Sequence, residues 1–209
     1  MDLTELLKSF TGILSIVNPI GAIPIFLGLT SSMNKRERNK TANVAALALV
    51  IILLIAAYTG EYLLDFFGVS MASFQVGGGI LLLLIAISML YAKISHARHT
   101  PQEAQEAEDM DSVAIVPLAM PIMAGPGSIS TVILYAHNFT QISQWLTFSC
   151  VITVVGLITW LCLRLAVPIG NKLGQTGINI TVRILGLFLA AIAVEFMSNG
   201  LKALFPVLK

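Results

Sequence analysis

Six long apolar runs alternate with short polar breaks along the chain. They cover residues 6–30, 42–60, 71–92, 113–136, 145–168 and 178–203. Each reaches the roughly 20 residues that a helix needs to cross a bilayer. The breaks run Asn34 to Lys40, Glu61 to Ser70, Lys93 to Asp111, His137 to Gln141 and Gly170 to Gly177. The pattern predicts an all-α membrane protein with six transmembrane helices. Two runs are interrupted near their middle. The first carries Asn18-Pro19-Ile20-Gly21-Ala22-Ile23-Pro24, and the fourth carries Ala124-Gly125-Pro126-Gly127-Ser128. Proline removes a backbone donor and clashes with the preceding turn, so helices 1 and 4 are expected to be discontinuous. In hydrocarbon such a break is tolerated only where protein or a polar cavity meets the freed groups.

The two halves align with each other. A shift of 107, the difference between positions 19 and 126, places Pro19 on Pro126, Asn18 on Gly125 and Gly21 on Ser128. A shift of 108 places Gln75-Val76-Gly77-Gly78 on Arg183-Ile184-Leu185-Gly186, so Gln75 stands where the other half has an arginine. The turns Phe67-Gly68-Val69-Ser70 and Thr176-Gly177-Ile178-Asn179 also match, with a one-residue gap. Three spans per half is an odd number, so the second half enters the membrane inverted. The expected organisation is a first repeat over 1–92, a charged linker over 93–112 and an inverted second repeat over 113–209.

Composition agrees with membrane residence: 56% of the residues are hydrophobic and 11% charged, against about 25% charged in a soluble domain. A basic stripe for nucleic acid is missing. Lysine and arginine set the orientation. Lys35, Arg36, Arg38 and Lys40 sit in the first break, Lys93 and Arg98 in the third, and Arg164 and Lys172 around the fifth. These breaks are expected on the cytoplasmic side, with both termini outside. Met1-Asp2-Leu3-Thr4-Glu5 shows no basic region or cleavage site, so no cleaved signal peptide is expected. The linker's charges read as a solvated connection, and its His96 and His99 are weak metal ligands. Cys150 and Cys162 fall in one run about 18 Å apart along a helix, too far to bridge within it, and read as small core residues.

A broken helix offers free amides where its second half starts and free carbonyls where its first half ends. Donors are expected from Gly21 and Ala22 after Pro19, and from Gly127 and Ser128 after Pro126. Acceptors are expected near Val17 and Ala124. The Asn18 amide and the Ser128 and Thr131 hydroxyls add polar groups. Pro24 and Gly125 shape the same two stretches. Donors facing acceptors, with apolar walls, suit a small zwitterion such as a neutral amino acid, without a full charge in the membrane. No residue cluster calls for a cofactor, and no enzymatic activity is expected. Glu195, in the sixth run, is a candidate carrier of a coupling proton. Arg183 reads as an interfacial anchor, Glu61 and Asp65 as water-facing, and Gly77-Gly78-Gly79 as a close helix contact. Pro117 and Pro121 are expected to bend span four further.

The motif Asn18-Pro19-Ile20-Gly21-Ala22-Ile23-Pro24, together with Val116-Pro117-Leu118-Ala119-Met120-Pro121-Ile122-Met123-Ala124-Gly125-Pro126-Gly127, resembles the MarC family of bacterial inner-membrane proteins. Gln175-Thr176-Gly177-Ile178-Asn179 and Ala193-Val194-Glu195-Phe196 resemble its last span. The resemblance implies a multi-pass protein of the bacterial inner membrane, grouped with exporters of the LysE type. It also implies transport of small neutral amino acids such as glycine and alanine, with proton or sodium coupling as the expected energy source. Alternatives are a metal or ion exporter and a non-transporting structural or regulatory membrane protein. A thiol-relay enzyme would need a cysteine in the first span of each repeat, whereas both cysteines lie in span five.

Overall fold

The computed structural model describes residues 3–91, 118–119, 123–137, 139–205 and 207. These residues are helical, with no strand among them. The elements are α1 (Leu3–Val17), α2 (Pro19–Leu29), α3 (Lys35–Phe66), α4 (Met71–Leu90), α5 (Pro126–Ala136), α6 (Ile142–Arg164) and α7 (Ala166–Leu204). Thr4–Leu29, taken across Asn18, and α3, α4, α6 and α7 are each long and apolar enough to cross a membrane. The α5 helix is apolar but too short to cross, at three turns. The linker over 93–112, with His96 and His99, lies outside the described residues. So do Pro117, Pro121 and most of what precedes α5.

Local chemistry sets the helix starts. Asn34 caps α3 by accepting from the Arg36 and Glu37 amides at 2.9 and 3.0 Å. Glu37 in turn accepts from the Asn34 amide at 2.9 Å, completing a capping box. Most of the polar break expected over Asn34 to Lys40 is therefore the first turn of a helix. With 32 residues α3 extends about 48 Å, well beyond a hydrocarbon core of about 30 Å, so its charged start stands clear of the apolar layer. Ser70 caps α4, and the Gln144 side chain accepts from the Thr140 and Gln141 amides ahead of α6.

The break expected over Gly170 to Gly177 is present but narrower: two helical segments of α7 meet at a kink at Gly174, φ 61° and ψ 179°, while Gly170 and Gly177 on either side of it are helical. Gly170 is a contact, since a Cβ there would lie 3.2 Å from the Leu27 side chain. The counterpart of Gly68, which turns the chain between α3 and α4 at φ 67°, is thus Gly174 rather than Gly177.

The elements recur at a constant offset. Pro19 and Pro126 each start a three-turn helix, and the spacing between these starts is repeated between the ends, Leu29 and Ala136. It is repeated again between Lys35 and Ile142, which open α3 and α6. The same offset governs the most extensive helix pair among the described residues, α4 against α7. A Cβ on Gly79 would sit 2.9 Å from the Ala193 carbonyl oxygen; one on Gly186 would sit 3.2 Å from the Ala86 carbonyl oxygen. Gly186 follows Gly79, and Ala193 follows Ala86, by the interval that separates Pro126 from Pro19. Two backbones approach closely at each point because no side chain intervenes.

The α1, α2 and α5 helices are packed among the others. Val17, Ala22, Ile23, Phe26, Ala124 and Val132 join α3 and α6 side chains in one buried core. Leu47, Ile51 and Ile55 on α3 and Ile180, Ile184 and Leu187 on α7 point outward as apolar stripes, as a lipid-facing surface requires. Cys150 is exposed on α6 and Cys162 is half-buried, which corrects the expectation of two core cysteines. The apolar medium expected around this surface explains how a small apolar thiol can sit there.

Replacing Gly79 or Gly186 by alanine should lower the thermal midpoint of the detergent-purified protein through overpacking of about 1–3 kcal/mol. Gly77→Ala, with no atom within 4 Å of the new Cβ, should leave it unchanged or slightly raised. Equal midpoints for the three variants would contradict the interface described.

Candidate functional site

The first interruption is one residue wide. Asn18 adopts a left-handed conformation at φ 48° and ψ 64°, alone among described non-glycine residues in having positive φ. Its amide still donates to the Leu14 carbonyl at 2.9 Å, and its carbonyl accepts from the Ala22 amide at 3.1 Å. Its side-chain Oδ1 accepts from the Gly21 amide at 3.1 Å. A Cβ on Gly21 would overlap this side chain, so glycine there lets the cap form. The donors expected from Gly21 and Ala22 are therefore used within the chain, and α2 starts closed. What remains open at this break is acceptor. Pro19 has no N–H for the Ser15 carbonyl, Gly21 gives its own to Asn18 rather than to Val17, and Pro24 removes the donor of the Ile20 carbonyl. Asn18, Pro19, Ala22 and Val17 are buried; Gly21 and Pro24 are half-buried.

The second interruption has the opposite character. Gly125, extended at φ −77° and ψ 178°, precedes α5 and contributes no side-chain cap. Pro126 has no N–H, and the Ile129 amide donates to the Gly125 carbonyl at 3.0 Å. The Gly127 and Ser128 amides lie before the first intrahelical acceptor, so the donor pole expected here is retained. The hydroxyls turn inward: Ser128 donates to the Met123 carbonyl at 2.6 Å and Thr131 to the Gly127 carbonyl at 2.8 Å. They keep their lone pairs and no longer offer protons. Ala124, Gly127, Ser128 and Thr131 are buried, Gly125 is half-buried and Pro126 is exposed. Gly127 brings the two interruptions together, because a Cβ there would sit 3.1 Å from the Ile16 side chain and 2.7 Å from Ile85.

Glu195 lies in a different place from these groups. It lines a cavity of about 360 Å³ between α1, α5 and α7, with Glu5, Lys8, Thr11, Gln75, Tyr135 and Asn199 among its neighbours. Lys8 Nζ donates to Glu195 Oε1 at 3.5 Å, with the two side chains 59% and 55% exposed. A pair this open is worth about 0–1 kcal/mol and is readily exchanged. The Tyr135 hydroxyl donates to the Lys8 carbonyl at 3.2 Å and reaches it over Gly12, where a Cβ would lie 2.5 Å away. Lys8 and Tyr135 have no counterpart in the sequence-level site. A signal was present: Glu5, Lys8, Thr11, Ser15 and Asn18 recur every three or four residues, so they stripe one face of α1 down to the first interruption.

A second cavity of about 440 Å³ lies between α3, α5 and α6, with Glu61 and Asp65 exposed on its rim. His137 Nδ1 stands 3.0 Å from Glu61 Oε1, and the Tyr58 ring stacks on Trp145 with centroids 4.7 Å apart. Aromatic rings and partly exposed polar groups of this kind suit a membrane–water interface. Arg183 is likewise exposed.

Comparison with known proteins agrees with this architecture. Residues 3–205 match the family described as MarC family integral membrane protein. The chain is 40% identical over 205 residues to the UPF0056 membrane protein YhcE of Escherichia coli, covering 98% of this chain and 95% of that protein. It is 41% identical over 205 residues to a UPF0056 membrane protein of Buchnera aphidicola, with the same coverage. It is 38% identical over 203 residues to one of Methanocaldococcus jannaschii, covering 97% and 98%. No solved structure matches.

The Asn18 cap makes a graded prediction. Asn18→Gly keeps access to the left-handed conformation and should cost only a few tenths of a kcal/mol. Asn18→Ala loses the cap and adds left-handed strain, about 2 kcal/mol or more together. Unfolding in detergent should rank the alanine variant well below the glycine variant; the reverse order would remove the left-handed cap.

Proposed function

This chain is a member of the MarC family of integral membrane proteins, and we propose that it is a secondary transporter of small neutral amino acids. The observation that carries this reading is the polarity of the two interruptions. Pro19 and Pro24 take the intrahelical donors from the Ser15 and Ile20 carbonyls at the first break, α5 starts without a side-chain cap, and the Ile16 side chain lies beside Gly127 at its start. Carbonyls take an ammonium group and helix-start amides take a carboxylate. Ile16, Ile85 and Leu82 present apolar side chains around Gly127, a wall that suits a small neutral side chain better than a polar or charged one. The constant offset between the halves supports an inverted 3+3 repeat with helices 1 and 4 discontinuous. The reciprocal Gly79–Ala193 and Gly186–Ala86 contacts are what a pseudo-two-fold axis between antiparallel spans produces.

In this reading the end bearing Lys35, Arg36, Arg38, Lys40, Arg164 and Lys172 faces the cytoplasm of the bacterial inner membrane. The Lys8–Glu195 cavity and both termini then face outward, and a proton or sodium gradient drives transport. Substrate passes from that cavity along the polar face of α1 to Asn18.

Proteoliposomes containing the purified chain should take up glycine and alanine saturably under an imposed proton or sodium gradient. Asn18→Gly and Gly127→Ala, whose new Cβ meets only the flexible tips of Ile85, Ile16 and Leu82, should each lower the initial rate at least tenfold while eluting as folded protein. Wild-type vesicles that accumulate none of the twenty amino acids beyond protein-free controls would reject the function. Undiminished uptake by both variants would reject the site alone.

A further inference from the structure

The Lys8–Glu195 cavity has a composition that the transport reading does not require. A hydrophilic mouth would serve passage equally well with serines and amides. Instead it places one cation on α1 and one carboxylate on α7, facing each other across the opening at 3.5 Å. The pair is long, half-exposed and held on flexible side chains, so a ligand carrying both charges can replace each partner with one of its own. The rest of the lining divides in two. Gln75, Gln144, Thr11 and Asn199 offer neutral hydrogen-bonding groups, while Tyr135, Phe139, Phe188 and Phe196 form an aromatic wall. Within that wall Phe196 stands edge-on to Tyr135 at 5.5 Å. A volume of about 360 Å³ falls in the range of small-molecule sites.

We propose that this cavity is a recognition site for free α-amino acids with apolar side chains, distinct from the interruptions around Asn18 and Gly127. Lys8 binds the carboxylate, Glu195 binds the ammonium group and the aromatic wall receives the side chain. The empty site closes by pairing Lys8 with Glu195, and a ligand opens it by separating them. The aromatic wall accepts a branched apolar side chain, so leucine binds here and competes with smaller amino acids for entry. The site rests on the transport reading for its position on the substrate path, and its ligand chemistry stands on the cavity alone.

Ligand protection of the full-length chain in lipid-free detergent tests it, with L-leucine, L-alanine, isoamylamine and isocaproate as probes. Leucine should raise the thermal midpoint of the wild type and inhibit alanine uptake competitively. Lys8→Met should weaken leucine binding at least tenfold while sparing isoamylamine, and Glu195→Gln should weaken both. Lys8→Arg, which keeps the cation, should retain leucine binding. In proteoliposomes both charge-removing variants should raise the KM for alanine with kcat changed less than threefold. Wild-type protein that transports alanine, with leucine binding and KM unmoved by either variant, would overturn this site and leave the transport reading standing. Leucine protection without any transport would sink that reading and keep the site. Protection by short-chain phosphatidylethanolamine and by none of the amino acids would overturn the site in favour of a lipid headgroup.

Discussion

Backbone polarity at membrane depth is the constraint on which this structure depends. A helix crosses hydrocarbon because every N–H finds a carbonyl four residues back. Pro19, Pro24 and Pro126 break that rule inside apolar segments, and each freed group must be met from elsewhere. At the first interruption the chain meets its free amides itself, the Asn18 carbonyl and Oδ1 taking the Ala22 and Gly21 amides, and it is the carbonyls of Ser15 and Ile20 that lose their intrahelical donors. At the second, no side chain caps α5. An interruption sealed on its donor side and another left open on its donor side are unequal partners. Their inequality gives the buried region a direction, with acceptors toward α1 and donors toward α5.

The surrounding helices hold that arrangement in place. The α4–α7 pair is the most extensively packed among the described helices, with the backbones brought together at both Gly79 and Gly186. The α1, α2 and α5 helices pack against α3 and α6 through alanine, valine and leucine, which leaves a smoother surface. The Lys8–Glu195 contact joins α1 to α7, and it is polar and partly exposed.

Much of this is legible in the sequence for identifiable reasons. Proline beside asparagine or glycine in an apolar run is an unambiguous local signal, and it marks Asn18 and Gly125 directly. The offset between the halves, visible first between two prolines, governs helix boundaries and helix contacts as well. The sequence misleads where tertiary packing overrides local propensity. Gly170 and Gly177 look like breakers, yet a helical glycine costs only about 1 kcal/mol against alanine, and Gly170 recovers this by admitting Leu27. Gly21 and Ala22 look like free donors because propensity says nothing about where the Asn18 side chain turns. Composition places Cys150 in the core, whereas its helix face looks outward. The α1 polar stripe is present as spacing, but read along the chain Lys8 is only a topological charge.

The separation of charged from uncharged polar groups is the last feature to be explained. An isolated charge at the bilayer centre costs about 2.5–3.5 kcal/mol on insertion scales, and a lone carboxylate or lysine beside Gly127 would carry that penalty in every empty state. Main-chain dipoles do not, because they are present in any helix and merely lack partners at an interruption. Formal charges are tolerated where water reaches or where they are paired, and Lys8 and Glu195 pair with each other beside a cavity with more than half of each side chain exposed. Under the proposed transport function, a dipolar solute meets full charges at the Lys8–Glu195 cavity before it meets the weaker main-chain dipoles at the interruptions. In that proposal its two ends are matched at both depths, which divides desolvation between two sites so that neither has to bind tightly enough to trap it.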